Sequence, residues 1–269
     1  MLVLIVKDIM TNNVIIGILD SDKRGKKFLT IFLKNNVEKK YGKNISDKIK
    51  NTLFPMLRTE DTGKELEMAI CMAYGIEYVG KYKYDYKEPL RLSERLKKLP
   101  PMKNIYHSAI NQCVYDFMSD DGNISAKSTK RTGGKVAPQR IGQCSIEKFC
   151  ERVNIPLMGK DDLKKYIQDN IVSILPIFEI NTFESKIVYY NKQKDELMYI
   201  QQVSPIDWTQ YEFKWTRESS EWTNSSTLKV NNKSIMEIQF HTKRKNMACR
   251  WCFENLLSLF PDNFSIIFL

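Results

Sequence analysis

The apolar residues of this 269-residue chain come in short runs, some alternating and some at helical spacing, and no run approaches the ~20 residues that a membrane-spanning helix requires. This patterning points to an α/β protein, with strands and helices interleaved along the chain. The opening Met1-Leu-Val-Leu-Ile-Val6 is too short for a secretory signal, and Lys7-Asp8 follow at once, so it reads as a buried strand. Hydrophobic residues make up 42% of the chain, enough for a sizeable core without structural metals or disulfides. A soluble protein of the cytoplasm is the expectation.

Residues 2–6 and 13–19 read as strands around a turn near Thr11-Asn12, residues 24–40 as a basic helical stretch, and 44–54 as a further helix. Thr59–Gly63 is a polar loop. Lys64–Tyr74 then places Leu66, Ile70 and Ala73 on one helix face, and Gly75 supplies the stop. Residues 78–102 are rich in Lys, Tyr and Pro, with a joint at Pro100-Pro101. The pattern predicts a helix over 104–114, a strand over 122–128, a Gly- and Lys-rich loop over 128–135, and a helix 146–153 capped by Ser145. Residues 161–175 read as a helix and 185–202 as strands around the charged turn 191–195. Trp208, Trp215 and Trp222 lie in polar surroundings. Residues 234–240 read as a strand and 247–260 as helical or strand-like.

Lys and Arg total 42 against 32 for Asp and Glu, a formal net charge of +10. Such a surplus favours a polyanionic partner through counterion release, although a lysine-rich solvated surface has the same composition. The six cysteines (71, 113, 144, 150, 249 and 252) are scattered and read as reduced thiols. Cys249-Arg-Trp-Cys252 lacks the second pair that a zinc site needs, and reads instead as the buried side of an amphipathic segment. There is no phosphate-binding G-x-x-x-x-G-K-[ST] loop, no G-x-S-x-G elbow and no G-x-G-x-x-G fingerprint, which argues against nucleotide-driven motors, serine hydrolases and dinucleotide enzymes.

The stretch from Tyr115-Asp116-Phe117 to Ser125-Ala126-Lys127 carries the chemistry. Metal-dependent phosphodiester hydrolysis needs a carboxylate to hold the cation and a lysine to orient water and offset phosphate charge. A β-hairpin can supply both, because alternate residues of one strand share a face. Asp116, Ser125 and Lys127 have that spacing. Over about residues 60–145 the chain resembles the PD-(D/E)XK, or restriction-endonuclease-like, superfamily. The resemblance implies a mixed central β-sheet flanked by helices, Mg²⁺ as cofactor, Asp116 as principal metal ligand and Lys127 as the residue positioning the attacking water. It also implies Glu67, on the upstream helix, as a second acid ligand. Two positions depart from the pattern: Tyr115 replaces the usual Pro, and Ser125 stands where the family carries an acid. Ser125 with Gln143 would complete the shell, with Glu147 in reserve.

On this reading residues 1–155 form the catalytic core, and 156–269 a C-terminal half that completes the fold and the DNA-binding surface. The loop 127–140 offers Lys130, Arg131, Lys135, Gln139 and Arg140 to DNA, with Gln139 and Arg140 suited to base edges. A second cluster, Glu237-Ile-Gln239-Phe-His241-Thr-Lys243 followed by Arg244, reads as a DNA-facing strand. Glu237-x-Gln239 also matches a variant of the family signature, with Asp207 as its upstream acid. The resemblance implies a type II restriction endonuclease acting on double-stranded DNA, commonly as a homodimer on palindromic sites. The rival readings are a non-catalytic DNA-binding repair or regulatory protein, and an RNA nuclease.

Overall fold

A computed structural model describes residues 2–7, 14–19, 31–47, 49, 62–80, 86–108, 113–131, 133–241 and 246–269. The chain divides into two compact units, residues 1–61 and 62–269. In the first, strands β1 (Leu2–Lys7) and β2 (Val14–Leu19) pair antiparallel, Leu2 opposite Leu19, as expected of the two apolar runs 2–6 and 13–19. Residues 31–41 are helical and Leu33 and Val37 are buried. Residues 24–30, the Thr11-Asn12 turn and residues 50–61 lie outside the described residues.

The second unit is built on two six-stranded sheets. The first runs β14-β9-β8-β5-β4-β3 and is mixed. Its strands are β3 (Tyr106–His107), β4 (Phe117–Met118), β5 (Ile124–Thr129), β8 (Lys186–Asn191), β9 (Glu196–Gln202) and β14 (Phe264–Phe268). Only β5 and β8 run parallel; the other neighbours are antiparallel. The second sheet is antiparallel: β10 (Phe213–Trp215), β11 (Ser225–Val230), β12 (Lys233–Phe240) and β13 (Asn246–Cys252) in order, with both β6 (Lys135–Val136) and β7 (Gln143–Ser145) on β13. Both sheets draw strands from either side of residue 155.

The central strands of the first sheet are buried on both faces, and their period of two shows this directly. Val188, Tyr190, Leu197 and Tyr199 pack with helices α1 (Thr62–Tyr74) and α2 (Lys87–Leu96) through Leu66, Ile70, Leu92 and Leu96. Their neighbours Ile187, Tyr189, Met198 and Ile200 enter a larger core. That core is shared with α3 (Ile146–Val153), α4 (Lys160–Asp169), α5 (Ile171–Phe183), α6 (Phe253–Leu259) and the inner face of the second sheet. The mixed central sheet flanked by helices is the architecture the resemblance implies.

Local signals explain most boundaries. Gly75 ends α1 at φ +64°, and Ser145 caps α3 by accepting the Lys148 N–H at 3.2 Å. Four expectations are corrected. Residues 104–108 and 113–114 are not helical: Tyr106 and His107 form edge strand β3, with Tyr106 exposed and His107 buried. The Lys-, Tyr- and Pro-rich stretch 78–102, for which the pattern offered no helix, contains α2, whose Pro89 sits in the first turn, where no intrahelical N–H bond is lost. The helix expected over 161–175 breaks at Asn170 into α4 and α5. Cys249 and Cys252 lie on strand β13, where a spacing of three puts them on opposite faces; both are buried because the strand is interior to its sheet.

One buried charge organises the connection after β9. Glu179 of α5 is 3% exposed and accepts from the Ile206 N–H at 2.9 Å, the Trp208 indole at 2.5 Å and the Gln202 amide. Trp208 in turn stacks on Trp251 of β13, 6.1 Å between ring centres. Glu179→Ala leaves three donors without their acceptor and should lower unfolding stability by about 3 kcal/mol or more, measured by urea denaturation, with Glu179→Gln less damaging. A loss below about 0.5 kcal/mol would show that water replaces the carboxylate at no cost.

Candidate active site

The site is assembled at the β4–β5 hairpin. Phe117 pairs with Ile124, which brings Asp116 opposite Ser125, and the Asp116 carboxylate accepts the Ala126 N–H at 2.8 Å. Along β5 the side chains divide by alternation. Ile124 and Ala126 face the α1–α2 core. Ser125, Lys127 and Thr129 face the other way, where Ser185, Gln139 and Tyr189 meet them. The side chains on β5 are fixed in turn by its parallel pairing with β8, from Ile124–Lys186 to Thr129–Asn191.

Glu67 comes from α1 and is 6% exposed. Lys64, one helical turn earlier, grips both its oxygens at 2.9 and 2.8 Å. His107 holds it from β3. The Val79 N–H donates to His107 Nδ1 at 3.2 Å, so the ring proton sits on Nε2 and donates to Glu67 Oε2 at 3.2 Å. Tyr78 stacks on the imidazole at 4.9 Å and Phe117 tilts against it at 5.0 Å. Glu65 is turned away from this site and lies 3.7 Å from Lys192.

The charges are coupled. Burial pushes the Asp116 carboxyl above the ordinary carboxylate range and the Glu67 charge adds to this, against Lys127, the Ala126 N–H and Lys64. Burial pulls the Lys127 ammonium below its ordinary value, while Asp116 and Glu67 hold it up. Two acids and a lysine thus share one poorly hydrated field, a pattern concentrated at functional sites. Among the described residues no three His, Cys, Asp or Glu side chains form a metal-holding group. What Asp116 and Glu67 offer is a pair of hard oxygen donors.

Beside Asp116 opens a cleft of about 430 Å³ lined also by Gln139, Arg140, Gln143, Lys148 and Arg152. Gln143 therefore shares a cleft with Asp116. Glu147, two residues into α3, lines a separate cavity with Leu157 and Met158. Lys130 and Arg131 are exposed at the end of β5. Lys135 pairs with Glu237 at 2.7 Å, and Arg250 lies 3.5 Å from Glu237 and 3.4 Å from Gln239. These side chains form a charged row on the second sheet, apart from the Asp116 hairpin. Asp207 caps the short helical turn 208–210 through Thr209. His241 is half-buried just beyond β12, its backbone N–H bonded to Asn246. Lys243 and Arg244 lie outside the described residues.

No local pattern marks His107, because its partner Glu67 is 40 residues away. Gln139 stood out only as a candidate for base edges; in the structure its amide reaches Lys127 at 2.6 Å and Ser125. Lys64 was legible in principle, three residues before Glu67.

Over 219 residues the chain is 39% identical to the type II restriction enzyme CviAII of Paramecium bursaria Chlorella virus 1. The chain is similar to a restriction enzyme. The matched stretch covers 80% of this chain and 64% of that protein, so the chain spans less than two thirds of its relative's length. No family model matches the sequence, and no solved structure matches the fold.

The electrostatics make a prediction about stability without metal. A carboxyl raised in the folded state contributes stability below its unfolded value and loses it as pH rises through the folded value, so ionised Asp116 opposes folding at neutral pH. Asp116→Asn should raise the neutral-pH melting temperature of the metal-free protein, and the gain should shrink towards pH 4. An unchanged or lower melting temperature at neutral pH would mean that Lys127 and Lys64 already compensate the charge.

Proposed function

We propose that this protein is a Mg²⁺-dependent endonuclease that cuts double-stranded DNA at a specific sequence, as a type II restriction enzyme does. The observation that carries the reading is the grouping of half-buried Asp116 and Lys127 with buried Glu67, beside a cleft lined by Arg140, Lys148 and Arg152. The similarity to a type II restriction enzyme supports it.

The donor chemistry fits the cation. Asp116 and Glu67 are oxygen ligands of the kind Mg²⁺ takes, and the upward pressure on the Asp116 carboxyl is the strain that a nearby cation relieves. Bound there, the ion supplies Lewis acidity towards a phosphoryl oxygen and makes water a better nucleophile at neutral pH. The protein's own groups do the rest. Asp116 is kept in place by the Ala126 N–H, and Glu67 by Lys64 and His107. Lys127 orients the attacking water and offsets charge building on the phosphate. Arg140, Lys148 and Arg152 attract the DNA backbone into the cleft. Lys130, Arg131, Gln239 and His241 extend the DNA-facing surface, and cutting both strands of a palindromic site calls for two copies of the chain.

No helix among the described residues is long and apolar enough to cross a membrane, and all six cysteines are free. A cytoplasmic setting is part of the proposal, as that is where an enzyme that cuts DNA would meet its substrate.

Purified protein incubated with plasmid and phage DNA should give discrete fragments with Mg²⁺ and none with EDTA. Asp116→Ala should slow cleavage by at least about 1000-fold. It should leave duplex binding, read by gel shift, within about threefold. Intact DNA with a gel shift under both conditions would favour a non-catalytic DNA-binding protein, and cutting of single-stranded RNA alone an RNA nuclease.

A further inference from the structure

Ser125 stands where the resemblance implies an acid, and the structure shows what occupies its hydroxyl. Its oxygen accepts from the Gln139 amide nitrogen and, at 3.0 Å, from the Ser185 hydroxyl. A hydroxyl oxygen has two lone pairs, so both are engaged. The other end of the same amide, Gln139 Oε1, accepts from Lys127 Nζ at 2.6 Å. Lysine has only donors, so the orientation is unambiguous: amide oxygen to Lys127, amide nitrogen to Ser125.

Gln139 is held from behind as firmly as from in front. Its backbone N–H donates to the Asn181 carbonyl of α5 at 2.9 Å. The turn it belongs to closes through Gly142 N–H to the Pro138 carbonyl at 3.2 Å, and Gly142 O accepts from Cys249 of β13 at 2.9 Å. A side chain at Gly142 would meet the Pro138 carbonyl at 2.3 Å, so the turn requires glycine there.

We infer that Gln139 is the positioning residue for Lys127, and that Ser125 serves to orient the Gln139 amide rather than to hold a metal ion. The inference rests on the proposed nuclease reading for its effect on cleavage, and on geometry alone for its effect on Lys127. It moves Gln139 from the base-reading surface to the chemical centre. The neutral amide also has a physical rationale: Asp116 and Glu67 already put two carboxylates beside Lys127, and a third buried acid would add like-charge repulsion.

Three variants, Gln139→Leu, Gln139→Glu and Ser125→Ala, are compared with the parent protein in three measurements. The first is acylation of the Lys127 amine by an amine-reactive ester, followed by mass spectrometry on the protein alone. The second is single-turnover cleavage with Mg²⁺. The third is duplex affinity with Ca²⁺ in place of Mg²⁺. Gln139→Leu should speed Lys127 acylation by about threefold or more, slow cleavage by about 100-fold, and leave duplex affinity and cut position unchanged. Gln139→Glu keeps an oxygen within reach of Lys127, and should recover about tenfold of the lost rate. Ser125→Ala should shift acylation in the same direction by a smaller factor, and serves as the test should Gln139→Leu fail to fold. Unchanged Lys127 acylation in the folded variants overturns the inference whether or not the protein cuts DNA. A changed cut sequence or weakened duplex binding with unchanged acylation returns Gln139 to base reading. If the parent protein cuts no DNA, the nuclease proposal falls, and the acylation result still decides the role of Gln139.

Discussion

The parallel pairing of β5 with β8 is the constraint on which the site depends. A parallel pair cannot be closed by a tight turn. The chain between Thr129 and Lys186 therefore leaves the first sheet, contributes β6 and β7 to the second, and returns through α3, α4 and α5. That excursion carries Gln139, Arg140, Lys148 and Arg152 to the open side of the hairpin, while α5 places Ser185 beside Ser125. With both faces of β8 and β9 buried, a one-residue slip of β5 would exchange Ile124 and Ala126 with Ser125 and Lys127. The register that keeps apolar groups in the α1–α2 core is the one that turns Lys127 towards Gln139.

The second determinant is charge held in poor solvent. Asp116 and Lys127 are both driven towards their neutral forms by burial and both pulled back by each other, with Glu67 adding to the strain on one and relieving it for the other. Such a grouping has little to recommend it as a stabilising device, since apolar replacements of buried ion pairs are often neutral or better. The surroundings resist its collapse nonetheless. Glu67 is clasped by Lys64 and by an imidazole whose other nitrogen is committed to the Val79 backbone, and Asp116 is tied to the Ala126 N–H. Structure is being used to hold costly groups apart at fixed places, which is what a cation and a phosphate would require of it.

What the sequence revealed and what it concealed follow from the range of the interactions. The hairpin of Asp116 and Lys127 was legible because strand alternation is local, and the α1 face and the Ser145 cap because helix signals span a few residues. The helix expected over 104–114 failed where local propensity met a sheet edge: His107 gains more as a buried β3 residue between Tyr78 and Phe117 than it would on a helix surface. α2 was obscured by Pro89, which reads as a breaker but sits in the first turn, where a helix loses no N–H bond to it. The residues that orient the site were hidden for a different reason. His107 meets Glu67 across 40 positions, Gln139 meets Lys127 across 12, and Ser185 meets Ser125 across 60. No periodicity reports on such pairs, because the fold creates them.

The Gln139 turn joins the two sheets at the point where chemistry and recognition would meet. One end is bonded to α5, the other to β13 of the second sheet, and the side chain between them ends on Lys127 of the first. On its far side β13 pairs with β12, where Glu237 and Gln239 face Arg250 and Lys135. A duplex that drew Lys135 or Arg250 away from Glu237 would therefore pull on strands that anchor the turn holding Lys127. Phosphates compete well for such half-exposed cations, because the pairs they break are weak at the surface. The charged row on the second sheet and the lysine of the first are linked through β13 and the Gln139 turn. On the proposed nuclease reading, a duplex seated on one sheet would bear, through this turn, on the alignment of Lys127 on the other.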